Sequence, residues 1–186
     1  MYIYLFNMPV RENKTRVPSA LSRKYGQLLL ILLFLAPVAG FTQTKTFLTK
    51  FRPLADSLEE EYEIPASVIL GVAIIESSSG TSRNCKLLNN YFGIVGKNDL
   101  LKTKGIKTRY KQYEDATASF IHFCKVLKKK KYYKKLKGNM DYKLWTEAIS
   151  QHGYSEVPDV WKQRINDTIR KNKLAVTPKN KIAATQ

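Results

Sequence analysis

The chain has 186 residues, room for one domain with a modest core, and its 32 Lys and Arg against 15 Asp and Glu give a formal net charge of +17. So strong a positive field calls for an anionic partner or surface. Two histidines and two cysteines, with no Cys-x-x-Cys or His-x-x-x-His pair among them, supply no metal site, and no cofactor is expected.

Residues 1–24 carry five Lys or Arg against one Glu, residues 28–36 are uniformly apolar, and Pro37, Val38, Ala39 and Gly40 follow with small residues placed like a cleavage site. This is the pattern of a secretory signal peptide over residues 1–40, and the apolar run is short for a membrane span. No other segment could cross a bilayer. The expected location is therefore periplasmic or extracellular, and export argues against nucleic acid as the anionic partner. With the leader set aside, basic residues still far outnumber acidic ones, which suits anionic polymers of the cell envelope.

The remainder reads as one domain over residues 41–174 and a polar tail over 175–186, expected to be loose. Phe47, Phe51, Leu54, Leu58 and Tyr62 at helical spacing predict an amphipathic helix over 45–63, with Glu59, Glu60 and Glu61 on a solvated face. Pro65 then suits the first turn of a second helix, and Gly80 suits its C-terminal cap. Val68, Ile69, Leu70, Val72, Ala73, Ile74 and Ile75 cover every face of that helix, so it should be buried. Its only ionisable side chain, Glu76, stands in its last turn. Burial and the negative end of the helix dipole both raise a carboxyl pKa there. A carboxylic acid kept protonated near neutral pH is what general-acid chemistry requires, although a surface Glu or half of a buried ion pair fits the same position.

Residues 81–93 read as short helical turns and loop. Gly93, Gly96 and Gly105, followed by Thr108, Tyr110 and Tyr113, predict a small hairpin. Asp115 can cap a third helix through Phe120, Ile121, Cys124 and Leu127. Cys124 lies on that apolar stripe as an ordinary small hydrophobe, which speaks against a bridge to Cys85. Lys128–Lys137 is the most basic segment, either a helix C-terminus on a solvated face or a site of nonspecific attraction to envelope polymers. Asp141 can cap a fourth helix with Leu144, Trp145, Ala148 and Ile149 inward. Pro158 can open a fifth with Trp161, Ile165 and Ile169 inward. The architecture predicted is mainly α, a helical bundle with one small β-hairpin lobe, expected as a monomer.

Three further motifs follow Glu76 in order. Asn89-Asn90-Tyr91-Phe92-Gly93-Ile94 offers amide donors and acceptors suited to sugar hydroxyls and N-acetyl groups, though Asn also makes turns. Tyr113 to Phe120 and the run Gly153-Tyr154-Ser155 come after it. Together with Glu76-Ser77-x-x-Gly80 these resemble the bacterial N-acetylglucosaminidases of glycoside hydrolase family 73, which cut peptidoglycan, over roughly residues 48–173.

The resemblance implies an α+β lysozyme-like fold and cleavage of the β-1,4 bond after N-acetylglucosamine in peptidoglycan glycan strands. It implies Glu76 as general acid, Tyr154 beside it in contact with substrate, and Asn89, Asn90, Tyr91, Phe92 and Gly153 around the cleft. The family's second carboxylate, in the hairpin, has no clear counterpart. Asp99 is the only acid between Glu76 and Glu114 and stands in a different context, so it serves as base only if the hairpin folds over the cleft. The sugar's own N-acetyl oxygen is the alternative nucleophile. A lytic transglycosylase shares the Glu-Ser start, and a non-catalytic peptidoglycan-binding module would fit the missing acid and the charge. Ser77, Ser78 and Ser79 lack a G-x-S-x-G elbow and read as helix-end residues.

Overall fold

The computed structural model describes residues 42–175. The expected signal peptide, and the expected tail apart from Ala175, lie outside the described residues. Helix α1 spans 42–62, followed by α2 (Ala66–Ser77), α3 (Arg83–Leu88), α4 (Leu100–Lys104), α5 (Ala116–Lys128), α6 (Tyr133–Leu136), α7 (Tyr142–Ile149) and α8 (Pro158–Lys171). A five-residue π-helical turn, Ser150–Tyr154, joins α7 to α8. None of the described helices is long and apolar enough to cross a membrane.

Helix α2 is the axis of the core. Every residue from Ala66 to Ile74 is buried, so the helix shows no polar face and needs neighbours on all sides. Helix α8 lies closely against it at Gly71, where a Cβ would come 2.8 Å from Cγ1 of Ile169 and 3.3 Å from Cγ2 of Ile165. Helix α1 covers another side with Phe47, Phe51, Ala55, Leu58 and Tyr62, all buried. Helix α5 adds Phe120, Phe123, Cys124 and Leu127, beginning at Asp115, whose carboxylate accepts the Ala118 N–H at 2.7 Å. Helix α7 begins in the same way, with Asp141 accepting from the Lys143 N–H at 2.9 Å.

Local chemistry differs from expectation at four places. Pro65 stands one residue before α2, and the Ala66 N–H is taken by Glu59 Oε2 at 2.7 Å, so one member of the acidic cluster caps a neighbour instead of only facing solvent. Helix α2 ends in a left-handed Ser78, with Gly80 two residues further on. Ser77 Oγ donates to the Ala73 carbonyl and accepts the Gly80 N–H, so this serine serves backbone at the helix end, while the Ser79 hydroxyl pairs with that of Thr44. Leu144 is turned outward, 46% exposed, while Thr146 takes the buried place and bonds Asn166 across to α8.

The hairpin lobe is the fourth. Residues 94–97 and 109–112 do run antiparallel, tied by backbone bonds from Gly96 to Arg109, Lys111 to Ile94 and Gln112 to Lys97. Only the pair Val95 and Tyr110 forms a β-bridge, and no named strand is present among the described residues. Side-chain amides hold the arms in place of a full ladder. Asn98 Nδ2 donates to the Thr108 and Tyr110 carbonyls, and Asn90 Nδ2 to those of Ile94 and Lys111. Between the arms Leu100–Lys104 coils into α4, and Gly105 at φ 66° is its left-handed cap, not a hairpin turn.

Candidate active site

Glu76 projects from the last turn of α2, half-buried, into the wall of a cavity of about 250 Å³. Phe92, Gly93 and Ile94 form one side of that cavity, the turn after α5 contributes Lys130 and Tyr132, and the π-helical turn contributes His152, Gly153 and Tyr154. Burial raises the Glu76 carboxyl above its ordinary value, opposed by a hydrogen bond from Trp161 and by the charge of Arg164. The Trp161 indole N–H donates to Glu76 Oε1 at 2.7 Å. The other oxygen, Oε2, faces Gly93, whose Cβ position lies 3.4 Å from it.

Tyr154 is the second fixed point. The chain leaves α7 through non-helical His152 and Gly153, the latter at φ 77°, and this break swings Tyr154 back over the core. Its hydroxyl donates to the Phe92 carbonyl at 2.7 Å, and its ring lies 5.2 Å from that of Trp161. Burial, followed by the nearby Glu76 charge, holds its phenol well above the usual tyrosine range, so it stays a neutral donor at any working pH.

The structure brings together Glu76, Phe92, Gly153 and Tyr154, as the motifs imply, but separates the rest. Asn90 is 1% exposed, and its amide is consumed by backbone. It donates to Ile94 and Lys111 and accepts from the N–H groups of Phe92 and Ile94. It shapes the loop carrying Phe92 and Gly93 and has no amide position left for a sugar. Asn89 is the left-handed cap of α3 and donates to the carbonyls of Tyr113 and Glu114, tying that helix to the start of α5. Tyr91 turns the other way, against Phe47, Phe51 and Phe120, and lines a separate open groove with Lys50 and Ser79. Phe92 stacks on Phe123 with centroids 4.2 Å apart. Asp99 is exposed at the head of α4 and does not line the Glu76 cavity. Among the described residues lining that cavity, Glu76 is the only carboxylate.

Trp161, Lys130, Tyr132 and His152 are among the lining or contacting residues that lie outside the motif reading. Trp161 has a legible signal, since a buried indole needs an acceptor and α2 carries one ionisable group. Lys130 and Tyr132 are hidden in a lysine-rich run whose bland reading is solvation. His152 Nδ1 pairs with the Ala148 carbonyl at 2.7 Å, and its ring packs 4.8 Å from Tyr132. No group of His, Cys, Asp and Glu among the described residues could hold a metal ion. Cys85 and Cys124 are free and buried, Cys124 within the main core cluster and Cys85 outside it.

Comparison with known proteins bears on this geometry. Among solved structures, the fold is similar to the catalytic domain of the autolysin Auto from Listeria monocytogenes, with 22% identity, TM-score 0.59, and 72% of this chain and 86% of that chain covered. It is also similar to the glycoside hydrolase domain of FlgJ from Salmonella typhimurium, with 19% identity, TM-score 0.56, and 76% and 94% covered. A chain from a type VI secretion effector–immunity complex of Pseudomonas protegens aligns at 20% identity and TM-score 0.52, with 72% and 95% covered. At these identities the likeness is one of fold. No curated protein sequence matches. The family model described as mannosyl-glycoprotein endo-beta-N-acetylglucosaminidase matches residues 52–174, which takes in α2, the Phe92 loop, the π-helical turn and α8. The chain belongs to this glucosaminidase family of glycoside hydrolases.

Proposed function

We propose that the protein is an exported wall hydrolase that cleaves the β-1,4 bond after N-acetylglucosamine in peptidoglycan, with Glu76 as general acid. The observation that carries this reading is the half-buried Glu76 carboxyl, raised by burial and opening onto a cavity beside Tyr154. A raised pKa keeps the proton on the carboxyl at pH values where a solvated Glu has lost it. In the reaction Glu76 passes its proton to the leaving glycosidic oxygen as the bond to the anomeric carbon breaks. Tyr154 steadies the Phe92 carbonyl and, through it, the loop edge against which the sugar lies. Asp99 stands outside the cavity wall. The reading the geometry supports best is therefore attack by the substrate's own N-acetyl oxygen, followed by water that returns a proton to the Glu76 carboxylate.

Export rests on the leader pattern of residues 1–40, and wall association on the surplus of basic residues. The test is product chemistry. Digested and borohydride-reduced peptidoglycan should show reducing N-acetylglucosamine ends by mass spectrometry. Anhydro-muropeptides as the principal product would make the enzyme a lytic transglycosylase, and no glycan product would make it a binding module.

A further inference from the structure

We propose that Trp161 is a positioning residue that decides which oxygen of Glu76 carries the reactive proton: its indole N–H occupies Oε1 and leaves Oε2 to bear the proton toward Gly93 and the cavity. This rests on Glu76 being the acid. An indole N–H can only donate, and Oε1 lies 2.7 Å from it. In a neutral carboxyl the carbonyl oxygen is the stronger acceptor, so a donor held on Oε1 favours the form whose proton sits on Oε2. That oxygen faces Gly93, where any side chain would begin 3.4 Å away. The missing Cβ leaves the approach to Oε2 open to a glycosidic oxygen.

Both sides of the carboxyl belong to one frame. Trp161 is 6% exposed and precedes Ile165 by one turn on the helix packed at Gly71. Its ring contacts Tyr154, which holds the carbonyl of Phe92, the residue before Gly93. Arg164 from α8 and Tyr154 from the π-helical turn also act electrostatically with the carboxyl, while His152 of that turn and Lys130 and Tyr132 of the turn after α5 line the same cavity. In the acid step the Oε2–H bond breaks, its electrons remain on the carboxylate, and the proton passes to the leaving oxygen. The indole N–H then holds the anion so formed in the orientation needed to take a proton back.

The test compares Trp161→Phe, which removes the N–H and keeps an aromatic ring, with replacement of the indole at 161 by benzothiophene, which changes N–H to sulfur at nearly constant shape. Each full chain is assayed for kcat and KM against pH on a soluble peptidoglycan fragment, beside Glu76→Gln and with thermal unfolding recorded. Both Trp161 variants should lose about tenfold to a hundredfold in kcat with KM little changed. Their basic limb should move to higher pH, because the ionised carboxyl has lost its donor. A merely structural Trp would lower the amplitude and leave the limb in place. If Trp161→Phe does not fold, the benzothiophene form decides. An unmoved limb in a folded variant, with Glu76→Gln inactive, overturns the role of Trp161 and spares that of Glu76. Activity retained in Glu76→Gln overturns both.

Discussion

Glu76 is placed where ionisation is costly, and this has opposite consequences for activity and stability. Since burial raises its folded-state pKa, the native protein binds that proton more tightly than the unfolded chain does. Stability is therefore lost as pH rises from the unfolded value through the folded one, while a usable acid persists across the same window. Glu76→Gln removes the titration and keeps the shape, and the amide oxygen can still accept the Trp161 N–H. Wall hydrolysis should fall by about 10²–10⁴-fold, with urea stability at neutral pH equal to or above that of the parent. Asp99→Asn, at an exposed helix head, should leave activity within a few-fold. Assays of both variants on one substrate check this, and equal losses would restore a two-carboxylate scheme. The placement of Glu76 was legible in the sequence because one charge closes an otherwise apolar helix. Asn90 stayed open between two roles because an amide suited to sugar is equally suited to backbone, and only the fold shows which partners reach it. Trp161 was read correctly as inward, but periodicity gives the face of a helix and not the atom waiting on the other side.

At the scale of elements, the contact of α2 with α8 governs both core and site. Gly71 is the close-approach position, and Gly71→Ala puts a methyl 2.8 Å from Ile169 Cγ1, part of a β-branched side chain with little freedom to yield. The expected loss is about 1–3 kcal/mol, seen as a lower urea midpoint with an unchanged slope. Because Trp161 rides on the displaced helix, kcat should fall as well. The turn after α5 is the other element where position matters. Lys130 lines the cavity, whereas Lys128, Lys129 and Lys131 are exposed and do not. Lys130→Gln should cut kcat/KM on a soluble fragment by about twofold to fivefold, the scale of an exposed charge contact. Glutamine at the other three should spare that substrate, and kinetics on the fragment tell the two sets apart. The helices were legible because their stripes and caps are strong: Asp115, Asp141 and Pro158 all begin helices as read. The arm over residues 93–113 was not, since its glycines announce turns without saying whether strands or a helix lie between them. Asparagine amides then replaced the ladder that would have made a hairpin.

At the scale of the molecule, the proposed mechanism assigns charge and catalysis to different parts, which makes them separable by salt. Beyond residue 40 the chain carries 27 Lys and Arg against 14 Asp and Glu, a charge that acts through solvent on any anionic polymer, and such attraction is screened within about 10 Å at 0.1 M salt and about 3 Å at 1 M. The step proposed at Glu76 depends instead on a donor at 2.7 Å and on partial burial, which salt screens far less. Attachment to intact wall should therefore fall steeply as salt is raised over this range. The kcat on a small neutral fragment should hold nearly constant, and KM should rise only as far as Lys130 contributes. Glutamine at Lys128, Lys129 and Lys131 should flatten the binding curve without touching the fragment assay. Pull-down on purified wall and fragment kinetics in the same salt series measure both quantities. A kcat that falls in parallel with wall binding would place the basic surface in the chemical step, and charge and catalysis would then be one device instead of two.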